Sequence, residues 1–132
     1  MPWIEIFAVF VMSHLFGDFL LQTDEQALNK YGGLRRGRRE RRALVSHVAC
    51  YGLSYLPALI WLAGEHSALA VAAIAIGVAL PHLLIDDGTP VTGWLRVVKK
   101  AGDVEPGTPL FVYVDQSMHL LCLFALALLT GT

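Results

Sequence analysis

Four long apolar stretches dominate the 132-residue chain and constrain its fold more than any other feature. They run over Trp3–Gln22, Ala43–Ala63, Ser67–Ile85 and Pro109–Thr130. Each comes close to the ~20 mostly apolar residues that a helix needs to cross a bilayer. A transmembrane strand is shorter, ~9–11 residues, and alternates apolar with polar side chains. The pattern therefore predicts an all-α integral membrane protein, a four-helix transmembrane bundle that forms one domain over residues 1–132.

The composition supports the same class. Hydrophobic residues make up 55% of the chain and charged residues 16%, whereas soluble domains are typically ~45–50% apolar. A soluble enzyme, a disordered chain and a disulfide scaffold are excluded. Cys50 and Cys122 fall inside predicted spans, where we interpret them as packing residues rather than as a disulfide or as thiolate ligands. The first residues lack the basic region of a signal peptide, so the first span is expected to remain in the mature protein.

Positive charge is confined to two windows, which predicts the orientation. All ten Lys and Arg lie in Lys30–Arg42 or Arg96–Lys100. The positive-inside rule then places loops 23–42 and 86–108 in the cytoplasm and both termini outside, most simply in a bacterial inner membrane. The arginine-rich part of the first loop is expected to contact anionic lipid headgroups, at ~1 kcal/mol per charge. Nothing else in the chain indicates nucleic-acid binding, and a homo-oligomer is left open.

Ionisable residues occur at membrane depth in every predicted span. Each costs at least ~2.5–3.5 kcal/mol on insertion scales, so each is a functional candidate. Three pairs have i, i+4 spacing and share a helix face. By depth they all fall in the cytoplasmic half; Asp18, for example, lies ~6 Å from the end of its span. We therefore predict one buried centre containing His14, Asp18, His47, His82, Asp86, Asp115 and His119.

This set of imidazoles and carboxylates is typical of a divalent-metal site. Zinc is favoured, and manganese or iron is open. Seven candidates exceed the four ligands of one tetrahedral zinc, so the set allows one or two ions, or one ion with carboxylates that orient its histidines. Two other interpretations remain, a proton or ion pathway and a purely structural polar core.

The motifs also resemble a known family. His14-Leu-Phe-Gly-Asp18-Phe-Leu-Leu-Gln22-Thr23 with a following Lys30, the later His47, the His82–Asp86 pair and Asp115-Gln116-x-x-His119 resemble the signatures of a family of small bacterial and phage membrane proteins of unknown function. The recurrent His-x-x-x-Asp pairs are similar, more faintly, to those of membrane-bound metal-dependent hydrolases. They are also similar to those of the zinc-dependent phospholipase C and single-strand nuclease superfamily. That similarity implies metal roles for the seven residues.

Together these observations predict a metal-dependent hydrolase that acts on an ester or phosphoester of a lipid or other amphiphile from the cytoplasmic leaflet. Asp115 and Asp87 are the candidate proton acceptors, and Gln22, Lys30 and Gln116 are candidate substrate contacts. The alternatives are a small transporter or channel for protons or divalent cations, and a structural or regulatory membrane protein stabilised by metal.

Overall fold

The computed structural model describes residues 1–131, and that part of the chain is all-helical. Seven α-helices follow one another: α1 Trp3–Leu15, α2 Asp24–Asn29, α3 Arg38–Ser54, α4 Leu56–Leu62, α5 Ala68–Asp86, α6 Thr89–Val97 and α7 Pro109–Thr130. A π-helical turn, Phe16–Leu21, extends α1 without a break. Three segments are long and apolar enough to cross a membrane: α1 with its π-helical turn, α5 and α7. The helices α3 and α4 pass the same test only as a pair, bent by 43°.

Proline explains the bend between α3 and α4. Pro57 is the second residue of α4, and Tyr55 joins the two helices. A proline inside a helix removes one backbone hydrogen bond and clashes with the carbonyl of the residue four positions earlier, here Leu53. The helix of the second apolar stretch also begins at Arg38 rather than at Ala43, so it includes most of the arginine run. Pro81, by contrast, lies within the continuous helix α5.

The long helices expose apolar surface and bury polar side chains. In α5 the buried residues form one stripe, Ile74, Val78, His82, Ile85 and Asp86, although nearly every residue of the helix is apolar. Large side chains such as Leu69 and Leu129 are more than 80% exposed. An apolar exterior of this extent is typical of a surface that contacts lipid or a partner rather than water. These features indicate a membrane protein.

Two apolar clusters enclose the polar residues. The larger one contains Ile6, Phe10, Tyr51, Tyr55, Ala58, Leu62, Ile74, Val78, Leu123 and Ala127. The smaller one contains Ile85, Val91, Leu95 and Phe111, and it joins α6 to the other ends of α5 and α7. The second basic loop, residues 86–108, contains the short helix α6. On α5, His82 lies between Val78 of the larger cluster and Ile85 of the smaller one, and on α7, Asp115 and His119 lie between Phe111 and Leu123.

The helix α2 is a short element that sets the path of the first loop. It starts with a capping box, in which the Gln26 backbone donates to Thr23 Oγ1 at 3.2 Å and the Thr23 backbone donates to Gln26 Oε1 at 3.0 Å. The Gln26 side chain then donates to Ser46 Oγ on α3 at 3.1 Å. This contact docks α2 on α3 and directs Lys30, the residue after α2, toward the interior.

Candidate metal centre

Four residues from three helical segments direct their ligand atoms at one point. They are Asp18 from the π-helical turn, His47 from α3, and His82 and Asp86 from α5. All four are at most 4% exposed. The i, i+4 pair on α5 places both of its side chains on one helix face, as predicted. We call this set the four-ligand group.

The spacing of the four atoms fits a small tetrahedral ion. His47 Nε2 lies 3.2 Å from Asp18 Oδ1 and 2.9 Å from Asp86 Oδ2. His82 Nε2 lies 3.5 Å and 3.0 Å from the same two oxygens, and 3.2 Å from His47 Nε2. Around a zinc ion with bonds of ~2.0–2.1 Å, tetrahedral ligand atoms are ~3.3 Å apart. Five of the six edges are therefore close to the length that such an ion requires.

A second set of ligand atoms shares Asp86. Asp86, Asp115 and His119 also bring one atom each within 4.8 Å of one another. His119 Nδ1 lies 2.9 Å from the backbone carbonyl of Asp115 on its own helix, so that nitrogen is engaged. His119 Nε2 is left facing Asp86 Oδ1 at 3.5 Å. We call these residues the three-ligand group.

Several of these polar atoms are buried without a hydrogen-bond partner among the described residues. They are Asp18 Oδ1, Asp86 Oδ2, Asp115 Oδ1 and His119 Nε2, whereas Asp86 Oδ1 pairs with the Lys30 ammonium at 3.0 Å. A buried polar atom normally has a hydrogen-bond partner, since leaving it unsatisfied costs ~1–3 kcal/mol. Lone pairs that converge without donors fit coordination of a cation, so the residues fit a divalent ion with nitrogen and oxygen ligands.

Gln116 connects the carboxylates of the two groups. Its Nε2 donates to Asp18 Oδ2 and to Asp115 Oδ2, both at 3.1 Å. Its Oε1 lies 2.8 Å from His14 Nε2. Hydrogen bonds of this kind orient metal-binding carboxylates. Gln116, predicted as a substrate contact, thus lies where it orients two of the candidate ligands.

His14 is adjacent to the centre but belongs to neither group. Its Nδ1 lies 3.0 Å from the hydroxyl of Tyr51, and its Nε2 faces Gln116. With both nitrogens engaged in hydrogen bonds, His14 supports the ligands in this arrangement. Its predicted metal role stays a prediction.

Tyr51 and Tyr55 form a part of the site that the sequence analysis missed. The Tyr51 ring stacks on His82, with 7° between the ring planes, and thereby orients that imidazole. Its hydroxyl lies 2.9 Å from that of Tyr55, which donates to the Phe10 carbonyl at 2.9 Å. The i, i+4 signal was present, since Tyr51 and Tyr55 follow His47 at intervals of four residues.

Lys30 reaches the centre from α2. Its ammonium lies 3.0 Å from Asp86 Oδ1, and the residue is only 4% exposed. Burial acts to lower the pKa of Lys30, but the carboxylates of Asp86, Asp18 and Asp115 outweigh it and raise the pKa above its ordinary value. Burial raises the pKa of the neighbouring Tyr31 to about 12. The lysine therefore carries its charge inside the protein at neutral pH.

Two further predicted residues lie outside both groups. Asp87 accepts hydrogen bonds from the Leu34 backbone at 2.9 Å and from the Thr89 hydroxyl, and it lies 3.5 Å from Arg35. It thus ties the two basic loops together. Gln22 directly follows the π-helical turn, and its buried Oε1 has no hydrogen-bond partner among the described residues. The catalytic role of Asp87 and the substrate role of Gln22 stay predictions.

The family comparison agrees with part of the sequence analysis. Residues 6–132 match a family described as "Protein of unknown function (DUF3307)". The chain belongs to this family. No curated protein and no solved structure shows significant similarity to the chain. A family of unknown function was predicted from the motifs, whereas the fainter resemblance to metal-dependent hydrolases and to the phospholipase C and nuclease superfamily stays a prediction.

Proposed function

We propose that this DUF3307 protein spans the membrane four times as one bundle, with both termini outside and both basic loops in the cytoplasm. The helices α3 and α4 form the second span. At one end, the amino terminus lies 3.0 Å from Glu65, and Gly131 packs directly against Trp3. At the other end, the Gly32 backbone donates to the Asp87 carbonyl at 2.8 Å. These contacts support grouping the termini on one side and the basic loops on the other, in a bacterial inner membrane.

Within that bundle, we propose that the protein is a metal-dependent hydrolase for an ester or phosphoester of a lipid or other amphiphile. The observation that carries the proposal is the near-tetrahedral spacing of the four-ligand group. A divalent ion, with zinc favoured, would be held by Asp18, His47, His82 and Asp86, and it would supply Lewis-acid chemistry that makes water more acidic and polarises an ester or phosphoryl oxygen. The three-ligand group beside it provides further side chains for the reaction.

The residues of the chain then have separate tasks. Asp115 Oδ1 is buried and without a donor, so it can accept the proton of the attacking water. As the water oxygen bonds to the carbonyl carbon or phosphorus, the bond to the leaving oxygen breaks and that oxygen takes up the proton. Lys30 places a positive charge beside the reacting group, where it stabilises developing negative charge. Gln116 holds Asp115 in position.

A substrate would approach from the cytoplasmic side. A surface cavity of about 400 Å³ is lined by residues of the two basic loops, among them Tyr31, Arg36 and Glu105. Tyr31 lines this cavity while the adjacent Lys30 contacts Asp86. A second cavity, of about 420 Å³, is lined by Glu25, Arg38, Arg39 and Arg42. Its arginines suit anionic headgroups, which supports a lipid substrate held at the surface of the bilayer.

The test is hydrolysis by detergent-purified protein reloaded with zinc, manganese or iron. The substrates are vesicles of anionic phospholipid and a soluble phosphodiester, each assayed for released product. We expect turnover that His82→Ala abolishes and that His66→Ala, in the turn before α5, leaves intact. No turnover from metal-loaded protein would refute the hydrolase and favour a metal-stabilised structural or regulatory protein.

One observation favours a second candidate, a proton or divalent-cation transporter. The contacts from His14 through Tyr51 to Tyr55 lead away from the centre toward the amino-terminal half of α1. They end at the Phe10 carbonyl, and beyond it the packed side chains are apolar. Proton or metal uptake into proteoliposomes, lost in Tyr51→Phe, would replace the hydrolase with this candidate.

A further inference from the structure

Lys30 occupies an unusual place for a lysine. Lysine is almost never fully buried unless it is paired, and here the ammonium contacts Asp86 Oδ1 at 3.0 Å within the protein interior. The residue lies in a cytoplasmic loop, but the docking of α2 on α3 through Gln26 and Ser46 carries it inward. The contact is therefore built by the fold rather than by a flexible surface side chain.

The two carboxylate oxygens of Asp86 face different positions. Oδ2 faces the imidazoles of His47 and His82, at 2.9 Å and 3.0 Å. Oδ1 faces Lys30 at 3.0 Å and His119 Nε2 at 3.5 Å. The ammonium therefore shares the oxygen that the three-ligand group would use for a second metal ion. The lysine ammonium and a second metal ion are both cations, so they compete for that oxygen and repel each other beside it.

The charges of the buried groups lead to the same result. Asp18, Asp86 and Asp115 bring three negative charges, all at most 4% exposed. With neutral imidazoles, one divalent ion and Lys30 balance them. Two divalent ions and Lys30 would leave an excess of two positive charges, and uncompensated buried charge is strongly unfavourable.

We propose that the Lys30 ammonium takes the place of a second metal ion, so that the centre binds a single divalent ion in the four-ligand group. Asp115 and His119 then lie on the side of the centre that Lys30 occupies, and they are not metal ligands. This inference rests on the proposed metal site and deepens it, because it defines the number of ions and leaves Asp115 free to accept a proton.

The test is metal stoichiometry, measured by elemental analysis of full-length protein that has been stripped with chelator, reloaded with zinc and desalted. We expect one equivalent in the wild type and two in Lys30→Met, since the substitution removes the competing charge. Lys99→Met, on an exposed lysine of the second basic loop, is the matched control and should retain one equivalent. Adding Asp115→Asn to Lys30→Met should return the value to one.

Different results separate this inference from the metal site itself. Two equivalents in the wild type, or one in a folded Lys30→Met protein, would overturn the role of Lys30 and leave the metal site standing. No zinc in the reloaded wild type would remove the metal site and the inference with it. If Lys30→Met does not fold, electron paramagnetic resonance of the Mn²⁺-loaded wild type decides. A spectrum of isolated Mn²⁺ ions supports the inference, and a spectrum of exchange-coupled Mn²⁺ pairs overturns it.

Discussion

At the scale of single residues, Asp86 is the residue that belongs to both the four-ligand group and the three-ligand group. One of its oxygens lies near His47 and His82, and the other near Lys30 and His119. The residue is 0% exposed. Removal of its charge thus affects a proposed metal ligand and leaves a buried lysine without its counter-charge at the same time.

We therefore expect Asp86→Asn to abolish metal binding and to destabilise the protein. Loss of one partner of a buried ion pair typically costs ~3–5 kcal/mol, because the other charge stays buried. Thermal unfolding in detergent and elemental analysis measure the two effects. Asp103→Asn, at an exposed position of the second basic loop, is the control. Metal content and stability equal to the wild type would exclude the central role of Asp86.

Gln116 acts on the ligands through hydrogen bonds, so its removal should have a smaller effect. Loss of a group that orients metal ligands typically lowers affinity ~10–100-fold. We expect Gln116→Leu to weaken zinc binding within that range and to keep the stoichiometry, measured by competition with a fluorescent chelator. Ser117→Ala is the control, since the Ser117 hydroxyl donates to the Tyr113 carbonyl of its own helix. Unchanged affinity in Gln116→Leu would contradict this role.

At the scale of elements, the π-helical turn that extends α1 is the irregular part of the site. π-helical turns are rare and often lie at functional sites. This one contains Asp18, and it packs tightly on α3 because Gly17 has no side chain. A Cβ atom on Gly17 would lie 2.7 Å from Tyr51 Cδ2 and 2.8 Å from Ser54 Oγ. The close approach of the two segments sets the distance between Asp18 and His47.

Gly17→Ala should consequently push the π-helical turn away from α3. Overpacking of this kind costs ~1–3 kcal/mol, and we expect a matching loss of thermal stability together with weaker zinc binding. Gly52→Ala is a sharp control, because a Cβ atom there meets nothing within 4 Å, and removing a glycine from a helix stabilises it by ~0.5–1 kcal/mol. Equal effects of the two substitutions would show that the close contact is unimportant.

At the scale of the whole molecule, polarity is reversed relative to a soluble protein. The exterior of the long helices is apolar, and the interior holds the histidines and carboxylates at a level between two apolar clusters. Charged side chains in such an interior are not stabilised by water, so the buried positive and negative groups must compensate one another's charge. The proposed orientation places this centre on the cytoplasmic side, where both basic loops lie.

Labelling of single cysteines tests that orientation. In a background of Cys50→Ser and Cys122→Ser, Ala63→Cys and Asp103→Cys place one exposed thiol at each end of the molecule. A membrane-impermeant maleimide added to intact spheroplasts should label Ala63→Cys at once and Asp103→Cys only after lysis. The reverse pattern would invert the orientation, and labelling of both before lysis would contradict the proposed spans.

The long apolar helices and most residues of the metal centre could be predicted from the sequence alone, because the signals for them are local. Apolar length predicts helices that suit a bilayer, and i, i+4 spacing predicts which side chains share a face. That was sufficient to find His82 and Asp86 on α5 and to bring Asp18 and His47 to the same centre. It did not identify Tyr51, although the spacing of Tyr51 from His47 fits the same helix face.

Only the tertiary structure decided how the candidate ligands are divided between the four-ligand group and the three-ligand group. It directed the two oxygens of Asp86 to different neighbours, engaged His14 with Tyr51 and Gln116, and placed Asp87 between the loops. It also brought Lys30 inward through α2. The physical reason is that helical periodicity defines the faces of one helix, whereas the rotation and depth of each helix depend on contacts between distant residues. Gln116 and Asp18, 98 positions apart and 3.1 Å from each other, are such a contact.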